Sequence, residues 1–347
     1  MSAPVVVGVD GSPESLAALD WAADEASRRA APLRLVHAWP SPVTPLSVLG
    51  TADLERQQAD VVLREAELRA RERCRDSVVT AVHLPGDAVR ALLAEADGAG
   101  LLVLGSRGLG VVTGFLVGSV SHRVLGRAAC PVVLVRRGEA AAGPDGPAGA
   151  DGTAASAGAG GPAGTAAAGP EVVGPEVVGP EVVGPEVVAG VDPYAGADEV
   201  LAHAFEAAGR LGLPVRAVYA WTLPPSYQYA GIAAGVDVTA EMSSQARREL
   251  VRLLQPWREK YPQVTVVEET VNARPARVLA ERAAGAELLV VGRRVRRSPV
   301  GVHVGAVAHA VLHHAPCPVA VVPYERVREQ ERAWDRGESD EDPREAG

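Results

Sequence analysis

The chain is written twice. Leu101–Val135 aligns without a gap on Leu288–Val322. Leu101-Leu-Val-Leu-Gly105 falls on Leu288-Leu-Val-Val-Gly292, Gly118-Ser-Val-Ser-His122 on Gly305-Ala-Val-Ala-His309, and Cys130-Pro-Val on Cys317-Pro-Val. The starts agree too: Val7-Gly-Val-Asp10 matches Ala189-Gly-Val-Asp192, and Val36-His-Ala-Trp39 matches Val218-Tyr-Ala-Trp221. A period this long marks a duplicated domain, not a stacked solenoid. Whatever one copy folds into, the other must fold into as well. The 347 residues therefore divide into a first domain at 1–138, a linker at 139–184, a second domain at 185–325 and a tail at 326–347.

The linker follows from composition. From Glu139 to Ala168 the chain is almost wholly Ala, Gly, Pro, Asp, Ser and Thr, which cannot fill a core. Gly-Pro-Glu-Val-Val then occurs four times between Gly169 and Val188, the last copy running into Ala189-Gly-Val-Asp192. The pattern reads as tandem expansion of the segment that starts the second domain; an extended recognition segment is the other reading. The tail ends Gly-Glu-Ser-Asp-Glu-Asp-Pro-Arg-Glu-Ala-Gly and reads as solvated and fraying.

Composition excludes several classes. Apolar residues make up 47% and aromatics 4%, so the core is expected to be aliphatic. A net charge of −9 argues against a general nucleic-acid binder. Three cysteines, Cys74, Cys130 and Cys317, are too few and too far apart for a disulfide framework or zinc knuckle. The N-terminus lacks a basic region, and no apolar run reaches membrane-span length. The expectation is a soluble cytoplasmic protein with no membrane partner.

Within the first copy, β-branched runs alternate with amphipathic segments. Val5–Asp10, Leu33–Trp39, Val78–His83, Leu101–Leu104 and Pro131–Val135 read as strands. Ser12 with Pro13 predicts a capped helix start, as does Gly86-Asp87 before a helix through Ala96. Helices are also expected over Ala52–Arg75 and Ser119–Arg127, with a proline-rich loop or lid at Pro40–Gly50. Strand–helix alternation predicts a parallel, doubly wound sheet, whose ligands sit beyond the carboxyl ends of the strands. Asp10, Ala38 and the loop from Gly105 stand at those ends.

That loop reads Gly105-Ser-Arg-Gly108, nine residues, then Gly118-Ser119 at a helix start. Glycines permit close backbone approach, successive N–H groups form an anion cradle, and the helix N-terminus favours phosphate. The Ser119 hydroxyl adds a donor, and Arg107 lies within reach of a phosphate. Asp10 is placed to accept from a ribose hydroxyl or an adenine amino group.

Gly-x-x-Gly, nine residues, Gly-Ser-Val-Ser, and later Cys-Pro-Val resemble the signature of ATP-binding universal stress proteins (UspA-like). The resemblance covers both copies and excludes only linker and tail. It implies an adenine nucleotide alpha hydrolase-like α/β fold: two tandem five-stranded parallel sheets, each in strand order 3-2-1-4-5, with nucleotide between strands 1 and 4. It also implies that the copies pair through their last strands, Pro131–Val135 and Pro318–Val322, as an intrachain pseudo-dimer. By the same resemblance Asp10 and the Ala38 backbone contact adenine, while Gly105, Gly108, Gly118, Ser119, Val120 and Ser121 line ribose and phosphates. The implied cofactor is ATP, with or without magnesium.

The second copy departs from this pattern. Asp192, Ala220, Gly292 and Gly305 remain, but Val295 replaces Gly108, Ala306 replaces Ser119, and Pro193-Tyr194 replace Gly11-Ser12. Val295 does not readily take positive φ and Ala306 has no hydroxyl, so a weaker second site is expected. Arg293, Arg294, Arg296 and Arg297 crowd the loop, and guanidinium forks bind phosphate. Arg293 is accordingly counted with the second site.

Other motifs carry less. Gly108-Leu-Gly110-Val-Val-Thr-Gly114 follows the wrong strand for a dinucleotide fingerprint, and no Walker loop is present. His303, His309, His313 and His314 lack matching carboxylates or thiols, so a solvated helix face is favoured over a metal site. Cys130 and Cys317 read as small core residues. The expected function is a nucleotide-dependent regulatory or stress-response module with no catalytic residues and a protein partner the residues do not name. A slow ATPase or nucleotidyl-transfer enzyme using Asp10 or Arg107, and a scaffold that ignores nucleotide, are the alternatives.

Overall fold

A computed structural model describes residues 2–39, 51–106, 118–137, 176–182, 184–223, 238–295 and 304–325, with only the backbone of 51–56. The Pro40–Gly50 lid, Arg107, Gly108, Arg296, Arg297, His303, most of the linker and the tail lie outside the described residues.

The first half runs β1 (Val5–Gly8), α1 (Pro13–Arg29), β2 (Leu33–Trp39), α2 (Thr51–Arg73), β3 (Val79–Pro85), α3 (Ala88–Ala96), β4 (Leu101–Ser106), α4 (Ser119–Leu125) and β5 (Val132–Arg136). Then come β6 (Glu176–Val178), β7 (Glu186–Gly190), α5 (Ala197–Leu211), β8 (Val215–Trp221), α6 (Val238–Lys260), β9 (Val266–Asn272), α7 (Pro275–Arg282), β10 (Ala286–Arg294), α8 (Ala306–His314) and β11 (Val319–Tyr324).

Local chemistry sets the helix starts. Ser12 Oγ accepts from Ser15 N at 3.2 Å, with Pro13 at the first helical position and Glu14 in the first turn. Asp87 does the same for α3, accepting from Arg90 N at 3.0 Å.

One sheet crosses the whole molecule, in the order β3-β2-β1-β4-β5-β11-β10-β7-β8-β9-β6. Each half is thus a parallel sheet of order 3-2-1-4-5. Only β5–β11 and β6–β9 run antiparallel, and β5–β11 joins the halves through Val132↔Val321, Val133↔Ala320 and Leu134↔Val319. The central strands are apolar on both faces because helices cover both. Val5 and Val7 pack with Leu19, Ala22 and Ala26 of α1 on one side. Val6, one step along, packs with Leu92 of α3 and with Val124 and Leu125 of α4 on the other.

Beyond the strand seam, each face of the sheet carries polar contacts between halves. On one face Glu25 of α1, buried, meets Arg210 of α5 at 3.1 Å. On the other, Arg293 donates to the Gly126 carbonyl at 3.1 Å and the Ala128 carbonyl at 2.6 Å, just past the end of α4. Arg136 answers from the first half by donating to the Leu312 carbonyl. The orphan carbonyls at one half's helix end are thereby met by the other half's guanidinium. Arg293→Met is expected to lower the unfolding free energy by about 2–3 kcal/mol, since it strands carbonyls in a dry interface. Urea titration reads this.

One expectation is corrected here. Residues 139–184 were assigned wholly to linker, yet Glu176–Val178 within that span is a strand, the outermost of the sheet. Composition described the Ala/Gly-rich part and missed that a Glu-Val-Val triplet keeps β-branched residues beside an open sheet edge.

Candidate functional site

The winding of the first half reverses between β1 and β4, and a cavity opens at their carboxyl ends. After β1 the chain turns at Gly11, whose φ is 79°. Asp10 Oδ1 accepts from Ser12 N at 2.9 Å and from Ser12 Oγ, a turn that fixes the carboxylate at the strand end. Asp10 N in turn donates to Ser15 Oγ at 3.3 Å, tying the turn to α1.

Gly105 is required for close approach, not for its φ. A Cβ there would lie 2.7 Å from the Glu14 carbonyl and 2.8 Å from Ser15 N. The end of β4 therefore abuts the first turn of α1. Ser121 Oγ donates to the Gly105 carbonyl at 3.3 Å, fixing α4 over the same strand end. Gly118 sits at φ −56° and ψ 148° as the N-cap of α4, a conformation open to any residue.

These elements enclose about 180 Å³. Asp10, Ala38, Gly105, Gly118, Ser119, Val120 and Ser121 all line it. Every first-copy site residue that lies among the described residues is therefore brought together, from three strand ends and one helix start. The apolar floor was not foreseen: Gly8, Val36, Leu92 and Leu104. Gly8 was the available signal, because a Cβ there would meet Leu104 at 2.7 Å. The wall offers the backbone N–H groups at the start of α4, the Ser119 hydroxyl and the Asp10 carboxylate. That donor set can meet an anion at the start of α4.

The second half repeats the plan with different chemistry. Asp192 keeps the turn, accepting from Tyr194 N at 3.0 Å although Gly11-Ser12 are replaced. Asp192, Ala220, Gly292 and Gly305 line a cavity of about 550 Å³. Arg293 does not. It is 3% exposed and bound to the first half. Arg294, the next residue, lines the cavity instead, with Trp221 and Tyr324. The Tyr324 ring lies over Gly196 and Gly292. Val295 N donates to the Tyr324 carbonyl at 2.9 Å, so strand pairing continues at the position aligned with Gly108.

Neither cavity holds an activated nucleophile among the described residues. Burial pushes the Cys130 and Cys317 thiols up to about 11, as befits core residues. His122, His309 and His313 meet edge to face between α4 and α8, with centroids 5.8 and 4.4 Å apart. Among the described residues no group of three or more His, Cys, Asp or Glu is arranged to hold a metal. No described helix is long and apolar enough to cross a membrane.

A model of the universal stress protein family matches residues 1–136 and 185–323. Universal stress protein Rv2623 of Mycobacterium tuberculosis is 31% identical over 325 residues, covering 91% of this chain and 95% of its own length. Universal stress protein Mb2028c of Mycobacterium bovis is 30% identical over 329 residues, covering 91% and 96%. The crystal structure of a universal stress protein from Archaeoglobus fulgidus superposes with a TM-score of 0.62 at 17% identity, covering 93% of this chain and 98% of its own, a likeness of fold. The matched segments span the two five-stranded halves of the sheet, with β6 and the last residue of β11 outside them, and the chain belongs to the universal stress protein family.

Proposed function

We propose that the first half binds an adenine nucleotide, ATP in particular, and that the chain is a cytoplasmic regulatory module, not an enzyme. One observation carries this reading. Residues scattered from Asp10 to Ser121 line a single cavity at the point where the sheet's winding reverses. Asp10 and the Ala38 backbone would hold the base and ribose end. The Ser119 hydroxyl and the N–H groups at the start of α4 would meet phosphate oxygens, with Ser121 Oγ kept on the Gly105 carbonyl. Magnesium would enter with the phosphates, since the described wall offers a single aspartate and one glutamate, Glu14, as ionic ligands. Binding would act on the surface around Gly105 and α4, where an unnamed protein partner would read it.

Gly118→Phe is the decisive variant. Its backbone is ordinary, and the nearest atom to an added Cβ is Ser121 Oγ at 3.9 Å, so folding is preserved while the ring fills the cavity. Calorimetric titration of ATP should show binding to the parent chain and at least a hundredfold loss in Gly118→Phe. Equal affinity in both, or none in the parent, would exclude the first cavity as the nucleotide site. Ala306→Phe, a bulky change one residue into the helix that lines the second cavity, should leave that binding intact.

A further inference from the structure

Four copies of Gly-Pro-Glu-Val-Val lie in series, and the structure puts the later ones to different uses. The fourth supplies β7, the central first strand of the second half, where Glu186 meets Arg216 at 2.6 Å. The second supplies β6, an edge strand antiparallel to β9 through Glu176↔Thr270, Val177↔Glu269 and Val178↔Glu268. The described part of the third, Gly179–Val182, lies in the connection between them. The first, Gly169–Val173, lies outside the described residues and has the same sequence as the second.

Three features show what the β9 edge selects. Arg247 of α6 meets Glu176 at 2.5 Å. Gly179, directly after the triplet, has φ 136°, and a Cβ there would lie 3.1 Å from the Val266 carbonyl oxygen. Pro175 precedes the triplet and brings no N–H to a ladder. A glutamate, two β-branched residues, a following glycine and a leading proline are also what the first repeat carries, since Gly174 follows Val173.

The matching edge in the first half is unlike it. β3 has no outer neighbour among the described residues. Aligned with Arg247 stands Asp60, which pairs with His83 at 3.0 Å. A repeat laid there would set its glutamate beside a carboxylate.

We infer that the β9 edge is a strand-docking site specific for the Gly-Pro-Glu-Val-Val motif, and that the first and second repeats are interchangeable occupants of it. Chain length restricts the choice to these two. β6 stands three strand spacings from β7, about 14 Å. The eight residue steps from Val178 to Glu186 cover that easily. The third repeat would leave three steps from Val183 to Glu186, about 10 Å at full stretch, and falls short. The first leaves thirteen, and the backbone hydrogen bonds, the arginine contact and the glycine turn are all recreated by a five-residue slip. Because both occupants are tethered, the local concentration of a replacement is in the millimolar range. The edge, which would otherwise template association with other chains, stays covered when one repeat lets go.

Hydrogen exchange read by mass spectrometry on the full chain tests this, following the β9 amides that face β6. Three variants are compared. One carries Glu176→Gly, Val177→Ser and Val178→Gly, another carries Glu171→Gly, Val172→Ser and Val173→Gly, and the third carries all six. Each single-repeat variant should stay within twofold of the parent exchange rate, and the combined variant should exchange at least tenfold faster. Full loss of protection in either single-repeat variant would overturn interchangeability. Unchanged protection in the combined variant would overturn docking itself. Adding Arg247→Glu should deprotect the edge in every background; protection that survives it would remove the claimed specificity for glutamate.

Discussion

Glu25→Ala is expected to lower the unfolding free energy by about 3–5 kcal/mol, the effect of removing one partner from a buried ion cluster. Glu25 is 4% exposed and meets Arg29 at 2.6 Å, Arg28 at 3.5 Å and, across the halves, Arg210 at 3.1 Å. Without it, Arg29 and Arg210 face each other with only Glu206 nearby, at 3.9 Å from Arg210 and half exposed. Equilibrium urea denaturation measures the loss. Glu25→Gln keeps acceptor oxygen and volume and should fall between parent and Glu25→Ala. Combining Glu25→Ala with Arg210→Met should lose less than the sum of the two, because one stranded charge is then gone. A loss below about 1 kcal/mol for Glu25→Ala would show that the cluster contributes no more than an exposed pair.

The same interface should make the protein acid-sensitive through His203. This side chain is buried in α5, and its pKa is pushed down to about 3, first by burial and then by Arg29 and Arg210. In the unfolded chain an imidazole takes up its proton below about 6.5. The folded state refuses that proton until pH 3, so the unfolded state binds more protons between these values. Stability is full above pH 6.5 and falls with acid, by about 1.4 kcal/mol per pH unit, or about 2 kcal/mol by pH 5. His309 leans the same way, lowered by burial and by its neighbours His313 and His122. His203→Leu should remove most of the slope between pH 6.5 and 5 in urea titrations. An unchanged slope would assign the acid sensitivity elsewhere.

Much of this molecule was legible in local sequence. Ser12-Pro13 and Asp87 mark helix starts through single side-chain hydrogen bonds, and the structure makes those bonds. The strand runs match because parallel strands covered on both faces must be apolar throughout. The first cavity was legible because its residues sit at strand ends, which topology alone brings together. Arg293 was misplaced because a run of arginines hides which face each takes. Burial along β10 does not separate them, since Val290 and Val291 are both buried and the strand is apolar on both faces. β6 was missed because an edge strand of three residues has too little periodicity to register, and its partner lies some ninety residues away. The Glu25–Arg210 contact has no local signature at all, since it exists only once both copies have folded.

The antiparallel seam between β5 and β11 lies within a single polypeptide. Dilution cannot part the halves, and mixing two variants in one cell cannot shuffle them into hybrids, as it would with separate subunits. Each molecule carries one cavity with the Ser119 hydroxyl and one with alanine at the matching position, in fixed one-to-one proportion. The two cavities can therefore differ in sequence without either being lost to the other by exchange of partners.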